Sequence, residues 1–316
     1  MTEEAVRGRT WPLHLRRALT WLFFGVVATF IALRLGAVDW AEVGASLRAY
    51  DAVALAAAAA LALSGYAAAA CYDLLARRYV GHTLPAPRTF AINFIAYAFS
   101  LNLGALIGGW GFRVRLYARH ALRAGDIARI IALAVVTNWS GFVLLAGAVL
   151  VLAPPQLPPP WPSGVMGTRL IGVVLLAVVA AYLWLCRTGP RRGWQLRVRG
   201  VELPVPTLRM AALQLLLSAT SWLMIVVTML WLMPPELTFV RLLAVVFVAS
   251  MVGAATHVPG SVGVLEGTVL VLLGDELGDA RVLAAVLAFR AVYYLLPFAV
   301  AVAGYAALEA GARRRG

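Results

Sequence analysis

One carboxylate stands inside an otherwise apolar stretch of this 316-residue chain: Glu266, seven residues beyond Pro259. Pro259 lacks a backbone donor, and with Gly260 and Gly263 it cannot continue a regular helix. A carboxylate at membrane depth costs on the order of a few kcal/mol, so it needs a partner or a role. Two readings are open for Glu266: it holds a cationic head group, or it neutralises Arg290. A third reading makes the break a kink that only helps helices pack. Arg113 and Arg115 directly follow a second glycine-rich stretch, Gly104 to Gly111. A guanidinium matches a phosphate with paired hydrogen bonds, which makes both candidates for a phosphate. The competing reading is that they only set topology. Arg290, Tyr293, Tyr294 and Pro297 share one face at helical spacing, either as ligands or as part of an interfacial aromatic belt. His257, beside the proline, is a lone histidine and reads as a packing residue or a titrating one. Asn102, Asn138 and Ser218 read first as hydrogen-bonding glue between helices, with Asn102 also a candidate ligand.

These residues sit in a chain that is 62% hydrophobic and 13% charged, with mean hydropathy +0.86. That composition excludes an ordinary soluble domain and points to one integral membrane domain over residues 1–316. All 27 basic residues are arginine. The net charge of +13 needs no nucleic acid, because cytoplasmic loops collect arginine. Cys71 and Cys186 both lie in apolar runs and suggest neither a disulfide framework nor a metal site. The first apolar run, 19–35, is long enough to span and reads as a retained helix. No Walker loop, dinucleotide fingerprint or paired metal ligands stand out, so no cofactor is expected and ATP-driven transport has no basis here.

Charge sets the order of the spans. Full spans are predicted over 19–35, 52–75, 130–152, 170–186, 210–233 and 282–308. If 89–112 also crossed, the arginine-rich connections at 113–129 and 187–209 would fall outside. If 89–112 dips in and returns, and 239–273 does the same from the other side, twenty-one of the 27 arginines lie in the cytoplasm with both termini. The predicted fold is an all-α polytopic membrane protein: about six full spans and two oppositely oriented re-entrant hairpins. Gly108 and Gly109 are the expected hinge of the first, and Pro259, Gly260 and Gly263 that of the second. The order span–hairpin–span then occurs twice, over about 52–152 and 210–308, in opposite directions. That is the inverted-repeat logic of secondary transporters, with the breaks meeting near the midplane.

Asn102-Leu-Gly104, Gly108-Gly109 and Arg113-x-Arg115-x-Tyr117, with Pro259-Gly260-Ser261-Val262-Gly263-x-x-Glu266, resemble the lysylphosphatidylglycerol synthase transmembrane region family. The Pro-Gly-x-x-Gly-x-x-Glu element is the more specific of the two. The resemblance runs over nearly the full length of the chain. It implies lipid translocation: a flippase moving a phospholipid, aminoacylated or otherwise polar, between leaflets of a bacterial cytoplasmic membrane. Two-domain members add a soluble aminoacyl transferase after this region, and this sequence carries none, so the resemblance implies no synthase activity. Stand-alone relatives are also tied to hopanoid and glycolipid pathways, which leaves the lipid open. Two alternatives remain at this stage. A membrane-embedded transferase would need a second acid or base near the break, and Glu266 is the one buried carboxylate expected there. A scaffold would need a lipid-modifying enzyme as its partner.

Overall fold

The computed structural model describes residues 39–154, 164–198, 201–256 and 258–313. The predicted first span, 19–35, and His257 lie outside the described residues. Six helices among the described residues are long and apolar enough to cross a membrane: Ala52–Val80, Ala124–Leu152, Val165–Thr188, Leu208–Leu232, Phe239–Thr256 and Asp279–Ala310. Five match predicted spans. The sixth, Phe239–Thr256, is the first limb of the predicted second hairpin.

In chain order, α1 (Trp40–Arg48) is a short helix capped by Asp39, whose carboxylate accepts from the N–H groups of Ala41 and Glu42. Next comes α2 (Ala52–Val80), capped by Asp51 and ended by Gly81. Its alanine-rich face lets α7 (Leu208–Leu232) approach closely. A Cβ on Gly65 would sit 2.8 Å from Met224 Cβ, and Ser221 Oγ donates to the Gly65 carbonyl across the same contact at 3.3 Å.

The chain then makes its first reversal. Helix α3 (Ala86–Leu103) ends at Gly104 and is followed by a π-helical segment, Ala105–Gly111, and by α4 (Phe112–Ala118). The return limb lies against the outgoing one: Phe112 stacks on Phe99 with ring centroids 4.0 Å apart. Gly104 makes the turn. Gly108 and Gly109, the predicted hinge, instead lie inside the π segment and let the two limbs touch.

Helices α5 (Ala124–Leu152) and α6 (Val165–Thr188) form an antiparallel pair. Ser218 and Asn138, read as interhelical glue, act as such together with Gln214 of α7. Gln214 Nε2 donates to Thr137 Oγ1 at 2.9 Å, Ser218 Oγ donates to the Asn138 carbonyl at 2.8 Å, and Gly141 N donates to Ser218 Oγ at 3.1 Å. Between α6 and α7 the basic connection holds a β-hairpin, β1 (Gln195–Val198) and β2 (Val201–Pro204), antiparallel with Arg197 opposite Glu202. This short hairpin is an addition to the expected all-α fold. The segment alternates apolar Leu196 and Leu203 with charged Arg197 and Glu202, a period of two.

The second reversal runs from α8 (Phe239–Thr256) through a 3-10 turn at Pro259–Ser261 into α9 (Val264–Leu277). Its open end is closed by Arg241 and Glu276, 2.5 Å apart. The chain finishes with α10 (Asp279–Phe289), a second π-helical segment at Arg290–Leu295, and α11 (Leu296–Arg313).

Contacts sort the element ends into two groups. At one end, Tyr79 OH donates to the Pro204 carbonyl (2.5 Å), Arg129 Nε to the Glu202 carbonyl (3.0 Å), and Arg119 meets Glu309 (2.6 Å). At the other, Trp231 Nε1 donates to the Ala54 carbonyl (3.1 Å), and Arg281 pairs with Glu236 (3.3 Å).

Candidate functional site

The two hairpin tips touch. A Cβ on Gly260 would lie 3.2 Å from the Asn102 carbonyl oxygen, and Gly260 itself sits at φ +65°, where a side chain is strained. Asn102 ties the first tip to the π segment of the last helix: its Nδ2 donates to the Ala98 carbonyl (2.9 Å) and the Tyr294 carbonyl (3.3 Å). Tyr66 OH donates to the neighbouring Tyr293 carbonyl at 2.9 Å. A π turn loosens the regular helical ladder. Here two of its carbonyls receive donors from α2 and α3.

Glu266 is paired with Arg290, one of the two sequence readings. Arg290 Nε meets Glu266 Oε1 at 2.6 Å and its Nη2 meets Oε2 at 3.1 Å; both side chains are 13% exposed. The other Glu266 contact is local: Oε2 accepts from the Gly263 N–H at 2.8 Å, at the start of α9. A carboxylate suits a helix N-terminus. Arg290 also donates to the carbonyls of Gly260 and of Ser261, the latter at 2.7 Å, and lies over the Tyr294 ring at 4.4 Å. One guanidinium therefore satisfies the backbone freed by the Pro259 break and neutralises the acid beside it.

A second charged cluster lies under the first hairpin. Arg113 is 8% exposed. Its Nε meets Asp73 Oδ2 at 3.3 Å, its Nη1 donates to the Gly109 carbonyl at 3.3 Å, and its Nη2 donates to Asn93 Oδ1. Tyr117 OH donates to the same Asp73 oxygen at 2.8 Å. Asp73 is fully buried, so Glu266 is not the only buried carboxylate. The sequence reading missed Asp73 because the Arg77-Arg78 pair nearby marks a helix end at an interface. Four residues deeper on α2, the acid faces the hairpin instead.

Between these clusters lies a cavity of about 310 Å³ whose wall includes Ser100, Gly109 and Arg113 of the first hairpin, Ser261 of the second, and Tyr293 and Tyr294. Among the described residues lining it, Arg113 is the only charged one. Glu266 and Arg290 stand behind the wall, bound to one another. The Tyr72 and Tyr293 hydroxyls, also at the cavity, are buried without a hydrogen bond of good geometry. Ser218 and Ser221 are polar neighbours of Tyr72, and Tyr97 of Tyr293.

Arg115 is not part of this site. Its side chain is 59% exposed and meets Glu309 at 3.2 Å, alongside Arg119. An exposed pair of this kind contributes little and is screened by salt. Arg115→Ala should therefore leave folding near wild type, checked by thermal unfolding.

The fold and the site together define a multi-spanning membrane protein whose polar cavity is built where its helices break. The chain belongs to the lysylphosphatidylglycerol synthase TM region family, whose model matches residues 20–301. It is 36% identical over 301 residues to the inner membrane protein YbhN of Escherichia coli strain K12, covering 95% of this chain and 94% of that protein. It is 30% identical over 298 residues to the uncharacterized protein slr0712 of Synechocystis, covering 91% and 92%.

Proposed function

We infer that this protein moves an anionic phospholipid between the leaflets of the bacterial cytoplasmic (inner) membrane, its phosphate passing through the cavity while the acyl chains stay in lipid. The observation that carries this reading is the lone charge on the cavity wall. A cavity with one guanidinium and no carboxylate among its described lining residues favours an anion. Tyrosine and serine hydroxyls around it supply further donors to phosphate oxygens. The location is that of the Escherichia coli relative, an inner membrane protein.

In this reading the two reversals are re-entrant hairpins entering from opposite faces, and the halves 52–152 and 210–308 are inverted repeats. The support is geometric: each hairpin opens toward a different end of the molecule, and the tips meet at Asn102 and Gly260. Rocking of one half against the other would expose the cavity to each leaflet in turn. With Glu266 held by Arg290, no lining carboxylate awaits the amine of an aminoacylated lipid, so phosphatidylglycerol-type head groups fit better than lysylated ones. The transferase reading needs two acids at the break; Asp73 and Glu266 are both ion-paired and neither lines the cavity.

Topology is checked by labelling. Gly44 and Gly125 have open space around a Cβ, so cysteine is tolerated at either position. Gly125→Cys is expected to react only from the cytoplasmic side and Gly44→Cys only from the outer side; the reverse pattern overturns the arrangement. Function is checked with fluorescent phosphatidylglycerol in reconstituted vesicles. Arg113→Lys keeps a cation beside Asp73 but loses the planar fork, and should slow translocation about tenfold, the loss of roughly one charged hydrogen bond. No acceleration of lipid movement by the wild-type protein sinks the reading.

A further inference from the structure

The cluster beneath the cavity is shaped for more than holding an arginine in place. Asp73 is fully buried, and among the described residues only Oδ2 is engaged; Oδ1 is buried with no hydrogen-bond partner among them. Beyond Tyr117, on the side toward the helix ends, lies His82, its ring 5.9 Å from the Tyr117 ring and both its nitrogens buried without partners among the described residues. A line of exchangeable groups thus runs from the loop after α2 through Tyr117 and Asp73 to Arg113 on the cavity wall.

We propose that Asp73 is a proton-binding site that couples uptake of one proton to capture of a phosphate by Arg113. This rests on the translocation reading above and supplies its energy source. Arg113 has one guanidinium and two anionic claimants. With Asp73 ionised, the guanidinium is held on Asp73 and Asn93. When a phosphate diester enters, its negative charge competes for the same cation and leaves Asp73 as an uncompensated buried carboxylate, which is costly. Taking up a proton at the carboxylate converts it to a neutral acid and removes that cost. The free Oδ1 is the oxygen on which this proton resides. Charge balances: one proton enters as one lipid anion binds. A lipid anion and a proton crossing together draw on the proton gradient.

The groups facing the acid fit this role. From α4 come Arg113 and Tyr117, and His82 faces it from the loop. From α3 comes the Asn93 amide, whose Nδ2 is fixed on the Ala69 carbonyl at 2.6 Å. The α7 hydroxyls of Ser218 and Ser221 face Tyr72 and are neutral. His82 in turn faces Arg77, Asp73 and Asp126; burial first, and Arg77 second, hold its pKa below the ordinary value. A neutral imidazole at neutral pH can accept a proton and pass it on.

The test uses dihexanoyl phosphatidylglycerol, a diester that does not titrate near neutrality, added to the purified protein. Calorimetry in two buffers of different ionisation enthalpy counts protons taken up on binding. About one proton per lipid is expected above the pH at which the free protein's Asp73 ionises, falling to none as pH drops below it. Asp73→Asn should bind the lipid with no uptake, and Asp73→Glu should restore uptake. Dimethyl phosphate, lacking acyl chains, separates a lipid site from a general phosphate site; uptake with either supports the coupling. Lipid binding without uptake at every pH, or unchanged uptake in Asp73→Asn, overturns the proposal and leaves translocation standing. Absence of binding by either phosphate removes both. If Asp73→Asn does not fold, the two-buffer measurement on the wild-type protein decides alone.

Discussion

Arg290→Met is expected to destabilise the protein by about 3–5 kcal/mol, the range for removing one partner of a buried pair. Three acceptors lose their donor together: the Glu266 carboxylate and the carbonyls of Gly260 and Ser261. Glu266 keeps only the Gly263 N–H. Glu266→Gln should cost less, because an amide oxygen still accepts from Gly263 and Arg290 keeps its two carbonyls. The double variant should be more stable than the sum of the singles by about 1–3 kcal/mol, since neither residue then strands the other. Equilibrium unfolding of the four proteins in detergent closes the cycle. A loss below about 1 kcal/mol for Arg290→Met would mean that the pair is not holding the second tip.

The second large effect belongs to a residue without a side chain. A Cβ on Gly108 would lie 2.1 Å from the Phe99 carbonyl oxygen and 2.4 Å from the Ser100 nitrogen. Those atoms are backbone of the opposing limb and cannot swing aside. Gly108→Ala should open the hairpin and cost at least the 1–3 kcal/mol usual for overpacking. Because Arg113 follows on the same limb, the cavity should lose its charge as well, and lipid movement with it. Gly109→Ala is the contrast: its nearest neighbour is the Ser100 hydroxyl at 2.9 Å, the end of a small side chain that can rotate. Gly44→Ala, with nothing within 4 Å among the described residues, is the neutral reference. Equal yields and unfolding midpoints for Gly108→Ala and Gly44→Ala would contradict the close approach of the two limbs.

Much of this was legible in the chain. Proline and glycine interrupting an apolar run, with an acid a turn or two beyond, located the second break and left Arg290 as a partner for Glu266. Arginine placement separated the two groups of helix ends. Other features were hidden for physical reasons. The two π-helical segments follow no 3.6-residue period, so Tyr293 and Tyr294 look like one ordinary face. Asp73 lies four residues before Arg77, and sequence alone does not tell a solvated helix end from a packed interface. Gly104 was overshadowed by the pair at 108–109, though Gly104 turns the chain. Arg115 shares its neighbourhood with Arg113, but two residues of helix carry it to the opposite side, onto Glu309.

The β-hairpin between α6 and α7 bears on mechanics. Tyr79 binds β2 at Pro204 and Arg129 binds it at Glu202, so it straps the lower ends of α2 and α5 into one rigid lever. If the two halves rock as proposed, a parting at that end would fall at the opposite seam, where the end of α4 meets α11 through Arg115, Arg119 and Glu309. That seam is a latch of surface charge, the sort that loosens as ionic strength rises. In that motion the strap would set where the molecule unzips, and dissolved salt how readily.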